Sequence, residues 1–193
     1  MDPFTNGVAQ PSAPHTTVSA DRPFKCTFLC FERPVVNIMV GGLHVAKVFN
    51  PFSCCSTILQ ILPPVASEIG GEGNIHPAMA AFMKARTVDS TVPFYTLEAS
   101  SLQAAALCGP CPCGPCSRYV FDISDESGAK VGEMAKIWSG MCKECFGDAD
   151  NFTLAFPEGC PPVLKVALTV SVVLADFLLF EDKDTDNSHG GHD

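Results

Sequence analysis

The amino-acid sequence predicts a mainly β fold, and the strongest evidence is a pair of hairpin patterns. The β-rich runs at 34–40 and 43–49 flank a Gly-Gly pair, which is a typical signal for a tight hairpin. A second pair of runs, 119–123 and 131–138, is separated by an Asp-Glu-Ser-Gly stretch of the kind that forms turns. Another short strand is predicted at 152–156. Together these patterns favour strands joined by turns.

The middle and the ends of the chain carry weaker patterns. Two Ala-rich stretches, 79–86 and 102–107, fit a helix by propensity alone, but the prediction for this region as a whole is all-β. Residues 1–25 are rich in Pro, Ser, Thr, Ala and Gly without periodicity, which predicts a flexible arm. Residues 182–193 form a polar, acidic tail. The predicted organisation is an arm, one domain at 26–181 and a tail.

Residues 161–180 form a long apolar segment before the tail. Paired prolines at its start can open a helix, because the N–H groups that proline lacks are not needed there. Eighteen helical residues would be about 27 Å long, just short of a bilayer core of about 30 Å. The segment therefore fits a membrane span, a helix buried in the domain or a buried strand pair. Its principal apolar residues are Val163, Leu164, Leu168, Val172, Phe177, Leu178 and Phe180.

Composition and charge exclude several classes of protein. Of the 193 residues, 47% are hydrophobic and only 17% are charged, which argues against a disordered or coiled-coil protein. The net charge of −9 argues against a broad phosphate-binding surface. Nucleic acid is therefore not expected as a partner.

Cysteine is over-represented, with 11 residues in the chain. The odd number and the lack of a secretory signal pattern at the N-terminus argue against a disulfide framework. We therefore expect reduced thiols in an intracellular compartment. Their clustering then points to a metal, to lipid attachment or to packing.

Four cysteines lie in a stretch that spells Cys-Gly-Pro-Cys twice: Cys108, Cys111, Cys113 and Cys116. A redox dithiol needs its first thiol at a helix N-terminus, whereas a proline follows the first pair and a strand-like run follows the second. We therefore reject an oxidoreductase. Four thiolates with such gaps could hold Zn²⁺, and a structural turn with free or acylated thiols is the alternative.

A second cysteine group, Cys54 and Cys55, follows the first hairpin beside an apolar run. Thiols in this setting fit S-palmitoylation, which tethers a domain together with another membrane-active element. Buried, inert cysteines are the alternative.

The stretch 147–151 (Gly-Asp-Ala-Asp-Asn) offers oxygen ligands at alternating positions, as a Ca²⁺ loop does. A full EF-hand loop would also need glycine at its sixth position and glutamate at its twelfth. Counted from Asp148, those positions hold Thr153 and Gly159, with Glu158 one residue early. The stretch therefore fits either a weak calcium site or a turn stabilised by Asp and Asn side chains.

Motifs of bond-making catalysis are not found in the sequence. It contains no G-x-S-x-G, P-loop or H-E-x-x-H pattern, and its five histidines are scattered. We therefore do not expect an enzyme.

The run from Val131 to Glu181 resembles the carboxy-terminal part of the phospholipid scramblase family. It contains, in family order, a strand with Gly, Lys and Trp at 131–140, Phe-x-Asp-Ala-Asp-Asn-Phe at 146–152, and Phe-Pro at 156–157. The apolar segment ending at Glu181 follows. Upstream, Arg33-Pro34 and both cysteine groups fall where the family has similar features. The resemblance covers residues 30–181.

This resemblance implies a Tubby-like, twelve-stranded antiparallel β-barrel around a hydrophobic C-terminal helix. Little of the chain precedes Arg33, so we expect the opening strands of such a barrel to be missing. The barrel is then either incomplete or completed by a partner protein, since an open edge or interior needs a cover.

The resemblance also implies ATP-independent, Ca²⁺-stimulated movement of phospholipids in both directions between leaflets. It makes Asp148, Asp150, Asn151 and Glu158 the candidate Ca²⁺ donors, although Gly159 stands where the family has an acidic residue. Acylated cysteines would attach the protein to the cytoplasmic face of a membrane. The alternative is a non-transporting domain that serves as a structural or membrane-docking subunit of a larger assembly.

Overall fold

A computed structural model gives the fold of the chain. It describes residues 17–21, 35–86, 89, 91–108, 114–138 and 151–180.

Eight antiparallel strands form one sheet in which each strand pairs with the next along the chain. The sheet curls into a half-barrel. Both predicted hairpins are confirmed, and Gly41 and Gly42 adopt the positive φ angles that a tight hairpin turn requires. The strands are β1 Val18–Asp21, β2 Val35–Val40, β3 Leu43–Phe49, β4 Ser56–Leu62, β5 Tyr95–Ser100, β6 Arg118–Ser124, β7 Lys130–Ile137 and β8 Asn151–Ala155.

Two features correct the sequence prediction. The Ala-rich stretches of the region expected to be all-β are helical, α1 at Pro77–Arg86 and α2 at Ala104–Cys108, so local alanine propensity prevails there. Strand β1 lies within the segment predicted as a flexible arm, where it pairs with β2. The composition of β1 gives no strand signal. The strand is held by backbone pairing with β2, which its own residues do not reveal.

The apolar segment is the helix α3, Pro162–Leu179, so the strand-pair alternative is wrong. Pro161 precedes the first turn and Pro162 lies within it, as the paired prolines predict. The helix packs against β3 and β4, and the core lies between it and the sheet. Each large apolar side chain fully buried there contributes about 1.5–3 kcal/mol.

The helix is only partly covered. Of the seven predicted apolar residues, Val163, Leu164 and Leu168 are buried, and Val172, Leu178 and Phe180 are half-buried. Phe177, by contrast, is 54% exposed. Within the part of the chain that the structure describes, α3 is the one helix long and apolar enough to cross a membrane, with a mean hydropathy of 2.0 and 39% of it buried.

Because the strands alternate in direction, the connections fall at two opposite ends of the sheet. At one end lie the hairpin turn 41–42 and the connections 63–94, 125–129 and 156–161; we call it the acidic end. At the other lie the connections 50–55 and 101–117 and the C-terminus of α3. Of the described cysteines, Cys54, Cys55, Cys108 and Cys116 lie in these two connections. We call it the cysteine end.

Candidate functional site

The two acylation candidates lie on the surface of the cysteine end. Cys54 and Cys55 are exposed and free, with their Sγ atoms 3.1 Å apart. The pKa of Cys55 is raised by its hydrogen bond with the thiol of Cys54 and, secondarily, by partial desolvation. The alternative of buried, inert thiols is therefore wrong for this pair.

Three elements converge around these thiols. The backbone N–H of Ser101 donates to the carbonyl of Cys55 at 2.9 Å, which ties the connection 101–117 to the connection 50–55. A cavity of about 210 Å³ lies beside them, lined by Pro51 and Ser56 and by Leu178 and Leu179 of α3. The end of the apolar helix therefore borders the loop that carries the cysteine pair.

The second cysteine group is only partly described. Cys108 ends α2, and Cys116 lies in a single 3₁₀ turn at Gly114–Ser117 just before β6. Cys111 and Cys113 lie outside the described residues. The zinc hypothesis for these four thiols therefore stays a prediction.

The calcium candidates do not all come together. Asp148 and Asp150 lie outside the described residues, and Asn151 begins β8 at the cysteine end. Glu158 follows β8 at the acidic end, beyond a strand that rises about 3.3 Å per residue. Since Ca²⁺ binds oxygen at about 2.3–2.6 Å, Glu158 and Asn151 cannot share one ion. The described residues contain no cluster of three metal-binding side chains.

Glu158 instead borders a cavity of about 310 Å³ with Arg86, Tyr95 and Asp125. The next residue, Gly159, has a φ of 67°. This left-handed conformation disfavours the acidic residue that the scramblase pattern has there.

The half-buried Tyr95 in this cavity predicts a loss of stability at alkaline pH. Burial and a hydrogen bond to Cys160 raise the pKa of Tyr95 to about 12. In the unfolded chain this tyrosine ionises near pH 10, so the folded state should lose stability as the pH rises from 10 towards 12. Urea unfolding at pH 9 to 12 measures this loss, which Tyr95→Phe should reduce. An equal loss in the Tyr95→Phe protein would contradict the assignment.

Sequence reasoning missed a charged cluster beneath the cysteine end. The ammonium group of Lys136 on β7 donates to Asp176 Oδ1 of α3 at 3.1 Å, and the Lys136 side chain is 2% exposed. The same Nζ lies 4.2 Å from the ring centroid of Phe180 and 4.9 Å from that of Trp138. The indole N–H of Trp138 is buried without a hydrogen-bond partner among the described residues. An aspartate within the otherwise apolar stretch 172–180 is the signal for such a buried partner.

Comparison with known proteins identifies the family. A family model named Scramblase matches residues 27–182, most of the chain. The chain belongs to the scramblase family. None of the solved structures matches it.

Its relatives include several named phospholipid scramblases. Mouse phospholipid scramblase 1 is 36% identical over 61 residues, which cover 32% of this chain and 19% of that protein. Human phospholipid scramblase 2 is 39% identical over 51 residues, covering 26% and 17%. Human phospholipid scramblase family member 5 is 35% identical over 51 residues, covering 26% and 19%. Each match thus spans less than a fifth of the relative's length.

Proposed function

We propose that this protein moves phospholipids between the leaflets of a membrane, in both directions and without ATP. The observation that carries this proposal is the scramblase family match across residues 27–182. Lipid translocation breaks no covalent bond, so the protein is not an enzyme in this proposal. The uncovered face of α3 supports the proposal, because the helix has the length and hydropathy to enter a bilayer.

Calcium stimulation belongs to the same proposal. Asp148, Asp150 and Asn151 would supply carboxylate and amide oxygens to one Ca²⁺ ion. Asn151 directly follows the two aspartates in the sequence, whereas Glu158 lies beyond the far end of β8, so we leave Glu158 out of the proposed set.

Cys54 and Cys55 would carry the acyl chains that hold the protein on the cytoplasmic face of its membrane. Their exposure beside the end of α3 supports this assignment. A single acyl chain gives only reversible membrane binding, so the apolar helix supplies the second element.

Lipid flip in reconstituted vesicles, without ATP and with or without Ca²⁺, tests the transport proposal. We expect flip that Ca²⁺ accelerates in the wild type and that Asp148→Ala/Asp150→Ala no longer accelerates. Glu158→Ala is the matched control, and it should respond to Ca²⁺ like the wild type. No flip from folded, incorporated wild-type protein would contradict transport.

A second candidate function is a structural or membrane-docking subunit without transport. The half-barrel leaves Val173 and Phe177 of α3 exposed, and a partner protein could cover them. This function predicts co-purification with a partner and no effect of Asp148→Ala/Asp150→Ala.

If Cys108, Cys111, Cys113 and Cys116 hold Zn²⁺, the purified chain should contain one equivalent of zinc and lose stability on chelation.

A further inference from the structure

The three most exposed large apolar side chains among the described residues all lie at the cysteine end. They are Leu102, Phe52 and Leu107, at 74%, 71% and 69% exposure. Phe52 lies in the connection 50–55, and Leu102 and Leu107 lie in the connection 101–117. Single exposed apolar residues are ordinary, but here three lie in two connections that the Ser101–Cys55 hydrogen bond joins, which concentrates exposed apolar surface at one end.

The two ends of the sheet differ sharply in charge. The connections 50–55 and 101–117 contain no Asp, Glu, Lys or Arg. The segments 22–34 and 139–150, which hold four basic and four acidic residues, lie outside the described residues. The connections of the acidic end, by contrast, hold two basic residues, Lys84 and Arg86, and six acidic ones, Glu68, Glu72, Asp89, Asp125, Glu126 and Glu158. That end would remain in water, because moving charges into an apolar medium is costly.

Exposed residues spaced four apart along one face of helix α3 follow the same trend from polar to apolar. From the acidic end towards the cysteine end, the exposed residues are Lys165, Thr169, Val173 and Phe177. The row therefore changes from polar to apolar in the direction of Phe52 and Leu102. This gradient suits a molecule that stands with its cysteine end in an apolar phase.

We infer that the cysteine end docks into the lipid bilayer surface by inserting Phe52, Leu102 and Leu107, without any acyl chain. The inference rests on the proposed function for its membrane setting and assigns the orientation of the protein there. The acidic end then points away from the membrane. Insertion also brings the thiols of Cys54 and Cys55 to the depth at which the hydrocarbon chains of the lipids begin. Because these connections carry no charge, the docking responds little to anionic lipid or to salt.

Vesicle flotation with the full, unacylated chain under reducing conditions tests this docking. The probe is vesicles of phosphatidylcholine alone, and then of phosphatidylcholine with phosphatidylserine. The test variant is Phe52→Ser/Leu102→Ser/Leu107→Ser. The matched control is Val92→Ser/Phe156→Ser, which removes two exposed apolar side chains at the acidic end. Thermal unfolding without lipid checks that both variants fold, and the three single variants replace the triple one if it does not.

We expect the wild type to bind both kinds of vesicle with affinities within about twofold of each other. The triple variant should bind about tenfold or more weakly, since each 1.4 kcal/mol of lost burial is about a factor of ten. The control should bind like the wild type. Equal binding by the triple variant, or equal losses in variant and control, would overturn the inference. So would self-association through these residues in place of vesicle binding.

Lipid flip, measured on the same proteins after detergent-mediated reconstitution, separates this inference from the proposed function. Reconstitution bypasses docking from solution. Docking without flip would contradict transport and support the docking surface. Flip with unchanged vesicle binding in the triple variant would support transport and overturn the docking surface.

Discussion

Replacing Lys136 with alanine is expected to lower the free energy of unfolding by about 3 kcal/mol. Removing one partner of a buried ion pair costs about 3–5 kcal/mol, and Asp176 is 33% exposed and can partly rehydrate, which favours the lower value. The variant also loses the cation–π contacts with Phe180 and Trp138. Urea unfolding followed by circular dichroism measures the effect, and Trp138, the only tryptophan, reports the local change by fluorescence.

Two comparisons sharpen this prediction. Lys165→Ala removes an exposed ammonium group over Phe156, and it should change stability by less than about 0.5 kcal/mol. In a double-mutant cycle of Lys136→Met with Asp176→Asn, we expect a coupling of about 1–2 kcal/mol, because the two groups are in direct contact. Additive effects in the cycle would mean that the pair does not hold α3 against β7.

Replacing Gly132 with alanine is the second change with a large expected effect. A Cβ atom on Gly132 would lie 2.6 Å from the carbonyl oxygen of Ala155 and 3.3 Å from Ile123 Cδ1. The first contact is with the backbone, so β8 must move away from β7. Overpacking of this kind costs about 1–3 kcal/mol, and we expect about 2 kcal/mol. That value corresponds to a fall in Tm of about 4–8 °C for a domain of this size.

Calorimetry of Gly132→Ala beside Gly73→Ala tests this assignment. Gly73 has a negative φ, and a Cβ added there meets no atom within 4 Å, so its substitution should leave Tm nearly unchanged. Equal Tm values for both variants would contradict the close approach of β7 and β8.

The elements that the sequence predicted correctly depend on local chemistry. The Gly-Gly pair and the Asp-Glu-Ser-Gly stretch determine their own turns, so both hairpins were predicted with their partner strands. The proline pair likewise marks the start of α3. The two Ala-rich helices were visible in local propensity but were outweighed by the all-β prediction for their region. Strand β1 was missed because it forms by pairing with β2, and its own residues do not predict that pairing.

In the candidate sites, too, some features were predictable from the local sequence and others were not. Motif spacing identified the cysteine groups and the stretch 147–151 as unusual. Spacing along the chain could not tell that Asn151 and Glu158 lie at opposite ends of one strand. It also could not pair Lys136 with Asp176, which are 40 residues apart and meet only when α3 packs on the sheet.

The sequence by itself determined the family, the two hairpins, the helix-initiating prolines and the scarcity of charge around the cysteines, because each is a property of neighbouring residues. Only the tertiary structure decided which residues share an end of the sheet. Antiparallel pairing returns the chain to the same end at every second connection, so Cys55 and Ser101, 46 positions apart, are joined by a hydrogen bond. That juxtaposition depends on strand order, which no local pattern contains.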